Sequence, residues 1–148
     1  MSQAAERVYV ARLAGTTVFD PLGDAVGRVR DVVLLMRRGN APVAVGLVVE
    51  VPGRRRVFLP LTRVTSIAPG QVICTGVLNL RRFKARTSET LAIAELLERS
   101  VTIKAGREPA FIEDLAIEPT RDGTWEVTKA LRAQGRASQG RPRLLAPR

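Results

Sequence analysis

The side chains that could do chemistry in this chain are few and poorly spaced for catalysis. The sequence contains no histidine, so it lacks the usual base of a nucleophilic triad and the commonest metal ligand. The adjacent acids Glu113 and Asp114 lie in a strand-like segment, so their side chains point to opposite faces and do not form a paired general acid and base. The single cysteine, Cys74, is expected to be a small buried apolar residue. We therefore predict no catalytic residues and no enzyme.

Two further acids, Asp31 and Asp114, occupy similar places in two similar segments, and two interpretations of them stay open. A magnesium ion needs only one or two carboxylates, because it retains several waters. An acid beside a hairpin more often accepts backbone hydrogen bonds. The glycines fit neither of the common phosphate-binding loop patterns. We predict no metal site and no cofactor within the chain itself.

Basic side chains are the one group with a functional meaning. The chain carries 24 Lys and Arg against 14 Asp and Glu, a net charge of +10. Two clusters could converge into what we call the basic patch, which consists of Arg54, Arg55, Arg56, Arg81, Arg82, Lys84 and Arg86. Such a patch could bind RNA phosphates, anionic lipid headgroups or an acidic protein, or it could only solvate the rim of the domain. Aromatic residues make up 4% of the chain, which argues against base stacking.

Alternating apolar residues and regularly spaced turns predict a mainly β fold. Turns are expected at Asp20–Asp24, Pro52-Gly53 and Pro69-Gly70. The expected strands are Val8–Leu13, Thr16–Phe19, Val26–Met36, Val43–Val51, Val57–Pro60, Val64–Ile67, Val72–Cys74, Ser100–Lys104, Pro109–Glu118 and Trp125–Leu131. The Val26–Met36 strand becomes apolar on both faces, so it should lie centrally. The turn spacing favours a small barrel or sandwich.

One short helix is predicted between two β units. Thr87 or Ser88 can cap it with Glu89 in its first turn. Leu91, Ala94 and Leu97 then follow three residues apart, giving an apolar stripe on a helix of about ten residues. We expect this helix to connect the two units.

The two β units align with each other at a constant offset of 83 residues. Leu13 aligns with Leu96, Val18 with Val101, Gly23 with Gly106 and Asp31 with Asp114. This pattern predicts a duplicated unit whose second copy is shorter. The expected organisation is a first unit at 6–80, a connector with the short helix at 81–98, a second unit at 99–131 and a basic tail at 132–148, which is disordered or begins a linker.

These residues resemble the PRC-barrel family, a small β-barrel module. The resemblance lies in Leu13–Asp20, Gly23, Val26–Val29, Asp31–Leu34, Gly46–Val49 and Phe58–Pro60. More narrowly, Gly53–Ile67 with Asn79–Phe83 resembles the N-terminal PRC-barrel region of actinobacterial MgtE-like magnesium-transporter proteins. The resemblance implies a PRC-type barrel built from the duplicated unit.

The resemblance also implies a non-catalytic cytoplasmic adaptor or regulatory module that acts by protein contact, as the cytosolic domain of a magnesium-transporter protein. Magnesium, membrane association and neighbouring domains would then belong to the larger protein, because the longest apolar run, Val32–Met36, is far shorter than the roughly 20 residues of a membrane-spanning helix. A homo-oligomer also remains open. The alternative, by resemblance to the ribosome-maturation factor RimM, is a module that binds a ribosomal protein or RNA through the basic patch.

Overall fold

The computed structural model describes residues 7–97, 100–102 and 109–134, and in this part of the chain it shows a single strongly curved, barrel-like sheet with very little helix. The first half contains β1 (Val8–Tyr9), a helical turn α1 (Val10–Leu13), β2 (Thr17–Phe19), β3 (Ala25–Arg37), β4 (Asn40–Val51), β5 (Arg55–Pro60), a 3-10 turn (Leu61–Arg63), β6 (Val64–Ala68) and β7 (Gln71–Cys74). The mainly β prediction is confirmed.

The second half begins after a stretch of loop. It contains β8 (Glu89–Leu91), a π-helical turn (Ala92–Leu96), β9 (Ser100–Thr102), β10 (Pro109–Pro119) and β11 (Trp125–Gln134). The hydrogen-bonded order is β1-β10-β11-β4-β3-β2-β7-β6, with β5 on β4, β8 on β3 and β9 on β10. Both halves therefore contribute to one sheet.

The β3 strand is central, as its sequence predicts. One of its edges pairs with β4 along nearly its whole length, and the other pairs first with β2 and then with β8. Residues 31–34 are buried on both faces. The largest fully buried side chains include Leu34, Leu47, Leu59 and Ile117, so the core joins strands from both halves. Cys74 is a free, buried thiol, as expected.

Two predicted elements are wrong in the same way. The expected strand Val8–Leu13 is extended only at Val8–Tyr9, and the expected ten-residue helix is replaced by strand β8 followed by one five-residue π-helical turn. In each case a carboxylate from the other half of the chain accepts backbone N–H groups at the turn. Asp114 accepts from Ala11 at 2.9 Å, and Asp31 accepts from Ile93 at 2.7 Å. Long-range partners have overridden local propensity.

The hairpin β10–β11 has the same strand register as the hairpin β3–β4, shifted by 83 residues. The pair Val32 and Leu47 in the first hairpin corresponds to Leu115 and Ala130 in the second. The register shifts also correspond, since one follows Val29 in the first hairpin and another follows Ile112 in the second. The two halves therefore use one pairing scheme twice, and each half supplies the carboxylate that binds the other half's turn.

Some predicted positions lie outside the described residues, among them Lys104, Gly106 and residues 135–148. The start of the predicted tail is wrong, because Arg132–Gln134 is the end of β11. Its pairing with β10 extends the hairpin beyond the boundary expected at residue 131.

The short strand β1 is attached to β10 partly by an ion pair with a testable pH dependence. Arg7 Nε donates to Glu118 Oε2 at 2.7 Å, and the Thr128 hydroxyl donates to the same oxygen at 3.0 Å. The Arg7 hydrogen bond is the main cause that lowers the pKa of Glu118 below its ordinary value. A depressed carboxyl pKa stabilises the fold above the unfolded-state pKa and loses that effect as pH falls through the folded-state pKa.

We therefore expect carbon-detected NMR titration to find the Glu118 pKa below the usual glutamate range, and Arg7→Ala to raise it towards that range. The protection factors of the β1 amides, which correct for the intrinsic pH dependence of exchange, should decrease as the pH falls below the unfolded-state pKa of glutamate. An unchanged Glu118 pKa in the Arg7 variant would show that Arg7 does not cause the shift.

Candidate interaction groove

The structure brings the two clusters of the basic patch side by side. The loop after β7 runs back along β5, where Phe58 N–H donates to the Arg81 carbonyl at 3.0 Å and Phe83 N–H donates to the Arg56 carbonyl at 2.8 Å. Arg82 forms an antiparallel bridge with Val57. The convergence proposed from the sequence is therefore present in the backbone, whereas a binding role for these residues stays a prediction.

Members of the basic patch differ in their surroundings. Arg54 lies in the β4–β5 turn with a φ of 60°, a left-handed conformation that is uncommon outside glycine. Arg56 forms a salt bridge with Glu50 at 3.5 Å, and Glu50 also forms one with Arg30 at 3.1 Å. Arg81 is the half-buried member, and the side chains of the others are exposed. The basic patch is therefore a row of exposed cations in which one member, Arg81, is half-buried.

A groove of about 620 Å³ lies beside this row on the outer face of β3, β4 and β5. Its floor is apolar and consists of Leu35, Val45, Phe58 and Pro60. The segments around residues 79–81 and 86–89 form its walls and add Leu80, Arg81 and Arg86. Glu89 is the one acidic residue among those that line it. The groove therefore combines an apolar floor with a cationic wall.

Arg81 stacks on the aromatic floor of the groove. Its guanidinium carbon lies 4.3 Å from the centroid of the Phe58 ring, within the range of a cation–π contact. In the part of the chain that the structure describes, no carboxylate lies within salt-bridge distance of Arg81 or Arg86. Phe58 is half-buried, because its ring lies over Gly46 on the outer face.

The wall of the groove is fixed by a residue that the sequence did not single out. Arg63 donates from Nε to the Thr75 hydroxyl at 3.2 Å and from a terminal nitrogen to the Gly76 carbonyl at 3.1 Å. It also reaches the Leu78 carbonyl, at 3.4 Å. These bonds hold the loop that precedes Arg81. An arginine between two β segments carries no local signal of such a role, because its acceptors lie 12 or more residues away.

The opposite wall is fixed by a local loop closure. Arg86 N–H donates to the Glu89 carboxylate at 3.2 Å, and Glu89 N–H donates back to the Arg86 carbonyl at 2.9 Å. The Glu89 carboxylate is therefore engaged with its own loop. Because the Glu89 carboxylate bonds to the backbone of Arg86, the guanidinium of Arg86 is the charged group on this wall that can meet a ligand.

Within residues 7–97, 100–102 and 109–134, no group of three or more His, Cys, Asp or Glu residues could hold a metal ion. Asp31 and Asp114 instead accept backbone hydrogen bonds, in agreement with the structural interpretation of these acids. None of the described helices is long and apolar enough to cross a membrane.

Comparison with known proteins changes the family assignment. The sequence model described as the Actinomycetes SH3 domain matches residues 90–145. No curated protein matches the chain. The predicted PRC-barrel family and its MgtE-like relatives are therefore wrong. The cause is that glycine hairpins and alternating apolar strands recur in many small barrels and do not distinguish one family from another.

SH3-type domains are non-enzymatic modules that bind other proteins, so the match favours a function by protein contact over catalysis. The matched range includes the β10–β11 hairpin. The β3–β4 hairpin, in the half of the chain that contains the groove, has the same register. Residues 90–145 of this chain are thus similar to an SH3-type protein-interaction domain.

Proposed function

We propose that this chain is a protein-interaction module that binds an acidic segment of a partner protein in the groove between β5 and residues 79–89. The observation that carries the proposal is Arg81, a half-buried arginine stacked on Phe58 without a carboxylate partner among the described residues. An arginine held in this way is preorganised to form charge-assisted hydrogen bonds with an incoming carboxylate.

The SH3-type match supports a protein as the ligand. It covers residues 90–145, which correspond to 7–62 at the offset of 83. The first half has the same hairpin register, and both register shifts of the β10–β11 hairpin recur in it at the offset of 83. We infer from this agreement that the chain is a duplicated pair of SH3-like units, and that the first unit is also an interaction module.

The lining of the groove supports a segment that is both acidic and apolar. Leu35, Phe58 and Leu80 offer apolar surface, while Arg81 and Arg86 offer two charges. A purely anionic ligand would leave the floor without a contact, and a purely apolar one would desolvate the arginines without compensation. A peptide with carboxylates on either side of an apolar side chain meets both requirements.

Charge reversal in the groove is expected to weaken peptide binding strongly. A displayed peptide library should enrich Asp and Glu next to large apolar residues, and the enriched peptide serves as the probe in fluorescence anisotropy. Arg81→Glu is expected to weaken its binding by about tenfold or more, because an attraction of about 1.5 kcal/mol is replaced by repulsion. Arg121→Glu, which makes the same charge change in an exposed turn of the second half, should leave binding within about twofold.

Single-stranded RNA is the competing ligand, and salt distinguishes it from a peptide. Contacts with phosphates make log affinity fall with log salt at a slope of about 0.7 per contact, whereas a partly apolar protein contact depends less on salt. Binding of oligouridylate with a slope of several units, together with no enrichment of acidic peptides, would overturn the proposal in favour of RNA. Equal peptide affinity of the Arg81 variant and the unchanged protein would overturn the assignment of the groove.

Two further parts of the proposal concern the compartment in which the protein acts and whether it needs a cofactor. We place the interaction in the cytoplasm and give the module no cofactor of its own. Fractionation of source cells, followed by immunoblotting, tests the first. Equal peptide affinity before and after dialysis against a chelator is the result expected for the second.

A further inference from the structure

The outer edge of β11 is a second surface that a partner could use. In the first half, β5 pairs with β4 over six residues, from Gly46 opposite Pro60 to Val51 opposite Arg55. At the offset of 83, those β4 residues correspond to 129–134 of β11. The β11 strand pairs with β10 on one edge and with β4 only at Trp125 and Glu126 on the other. Among the described residues, no strand pairs with that second edge beyond Glu126.

The chain that follows β11 has a sequence poorly suited to take the place of β5. Residues 138–143 read Ser-Gln-Gly-Arg-Pro-Arg. Glycine stands at the position of Val57, and proline stands at the position of Leu59. Glycine disfavours a strand, and proline has no N–H to donate to a ladder. The sequence at the corresponding place in the second half therefore lacks the strand-forming residues of β5.

The exposed side chains along this edge indicate the chemistry of its ligand. Lys129 and Arg132 carry charges, and Leu131 between them is 37% exposed. At the corresponding place in the first half, Val48 is 1% exposed and faces Phe58 on β5. An incoming strand that covers Leu131 as Phe58 covers Val48 would carry an aromatic or large apolar residue there, with acids beside it.

We propose that the outer edge of β11, residues 129–134, binds an extended acidic segment of a partner protein by antiparallel strand addition. Backbone hydrogen bonds would supply affinity, and contacts between alternate side chains of the two strands would supply specificity. Pairing with the β11 of a second copy would place the Lys129 and Arg132 cations of both copies along one seam, which disfavours that occupant. This surface is separate from the Arg81 groove, and the proposal does not depend on it.

The probe is the peptide Glu-Val-Glu-Phe-Glu-Val-Glu, compared with two versions that are N-methylated on alternate residues. Strand addition uses the amides of only one alternate set, so we expect one methylated peptide to bind like the parent and the other to lose binding by about tenfold or more. Binding is measured in the Arg81→Glu background, so that the groove does not contribute. Hydrogen exchange should slow, when the parent peptide binds, at those amides of 129–134 that do not bond to β10. Lys129→Glu with Arg132→Glu should weaken binding, while Arg38→Glu with Arg121→Glu, the same charge change in exposed turns, should not.

Three results would overturn the inference. Equal binding of both methylated peptides would show that backbone pairing is not used. Slow exchange in the free monomer at those amides of 129–134 that do not bond to β10 would show that the chain already covers this edge. Slow exchange there in a species that sedimentation identifies as a dimer would assign the edge to a second copy.

Discussion

Replacing Asp31 with alanine is expected to lower the free energy of unfolding by about 3 kcal/mol or more. Asp31 is 5% exposed, and its carboxylate accepts three backbone N–H groups. These come from Val32 at 2.8 Å, Ile93 at 2.7 Å and Ala94 at 3.0 Å. Alanine would withdraw the acceptor from donors that lie in or beside the core, and hydrogen bonds to a charged group are among the stronger ones.

The effect should reach the groove as well as the core. Asp31 holds the π-helical turn against β3, and β8 precedes that turn directly. Ser88, just before β8, and Glu89, its first residue, line the groove. We therefore expect the Asp31 variant to lose affinity for the acidic peptide even under conditions where it stays folded.

Urea unfolding followed by circular dichroism measures the effect on stability. Asp24→Ala, which removes an exposed turn carboxylate, is the matched control and should change stability by less than about 0.5 kcal/mol. Asp114→Ala should fall between the two, because Asp114 is half-buried and accepts from Ala11 and Leu115. A loss below about 1 kcal/mol for Asp31→Ala would show that the turn does not depend on this carboxylate.

The predictable parts of the fold are those that local pattern determines. The β3 strand is central because its residues become apolar on both faces, and this is visible in the sequence. The hairpin turn after β6 is visible as Pro69-Gly70, because proline and glycine favour turn dihedrals. By contrast, the convergence of the basic patch was only a possibility in the sequence, because it depends on pairing between β5 and the loop after β7, which are far apart along the chain.

The parts that sequence did not predict depend on partners far along the chain. Leu91 and Leu97 have helical spacing, but β8 gains strand pairing with β3, and Asp31 binds the turn that follows. Phe58 has the apolar character of a core residue. Its ring lies in the groove floor because Gly46 on the neighbouring strand has no side chain and leaves space for it. Family assignment failed for a related reason, since the local patterns used for it are shared by unrelated small barrels.

Gly46→Ala is expected to lower both the stability of the fold, through the β4–β5 pairing, and the affinity of the groove for its peptide. A Cβ at Gly46 would meet the Phe58 ring and would lie 2.9 Å from the Leu59 carbonyl oxygen. The carbonyl belongs to the paired β5 backbone, so it can move only with the strand. We expect a loss of about 1–3 kcal/mol in the free energy of unfolding, as for overpacking elsewhere. The displaced ring would also remove the surface on which Arg81 stacks, so peptide affinity should fall.

A double-mutant cycle with Phe58→Ala separates the two contacts. Without the ring, the contact with the Leu59 carbonyl remains, so Gly46→Ala should cost less in the Phe58→Ala background than in the unchanged protein. A difference of about 1 kcal/mol in the urea-derived free energies would assign the larger part of the clash to the ring. Equal costs in both backgrounds would place it in the strand backbone, and Gly46 would then be required by the close β4–β5 pairing rather than by the groove.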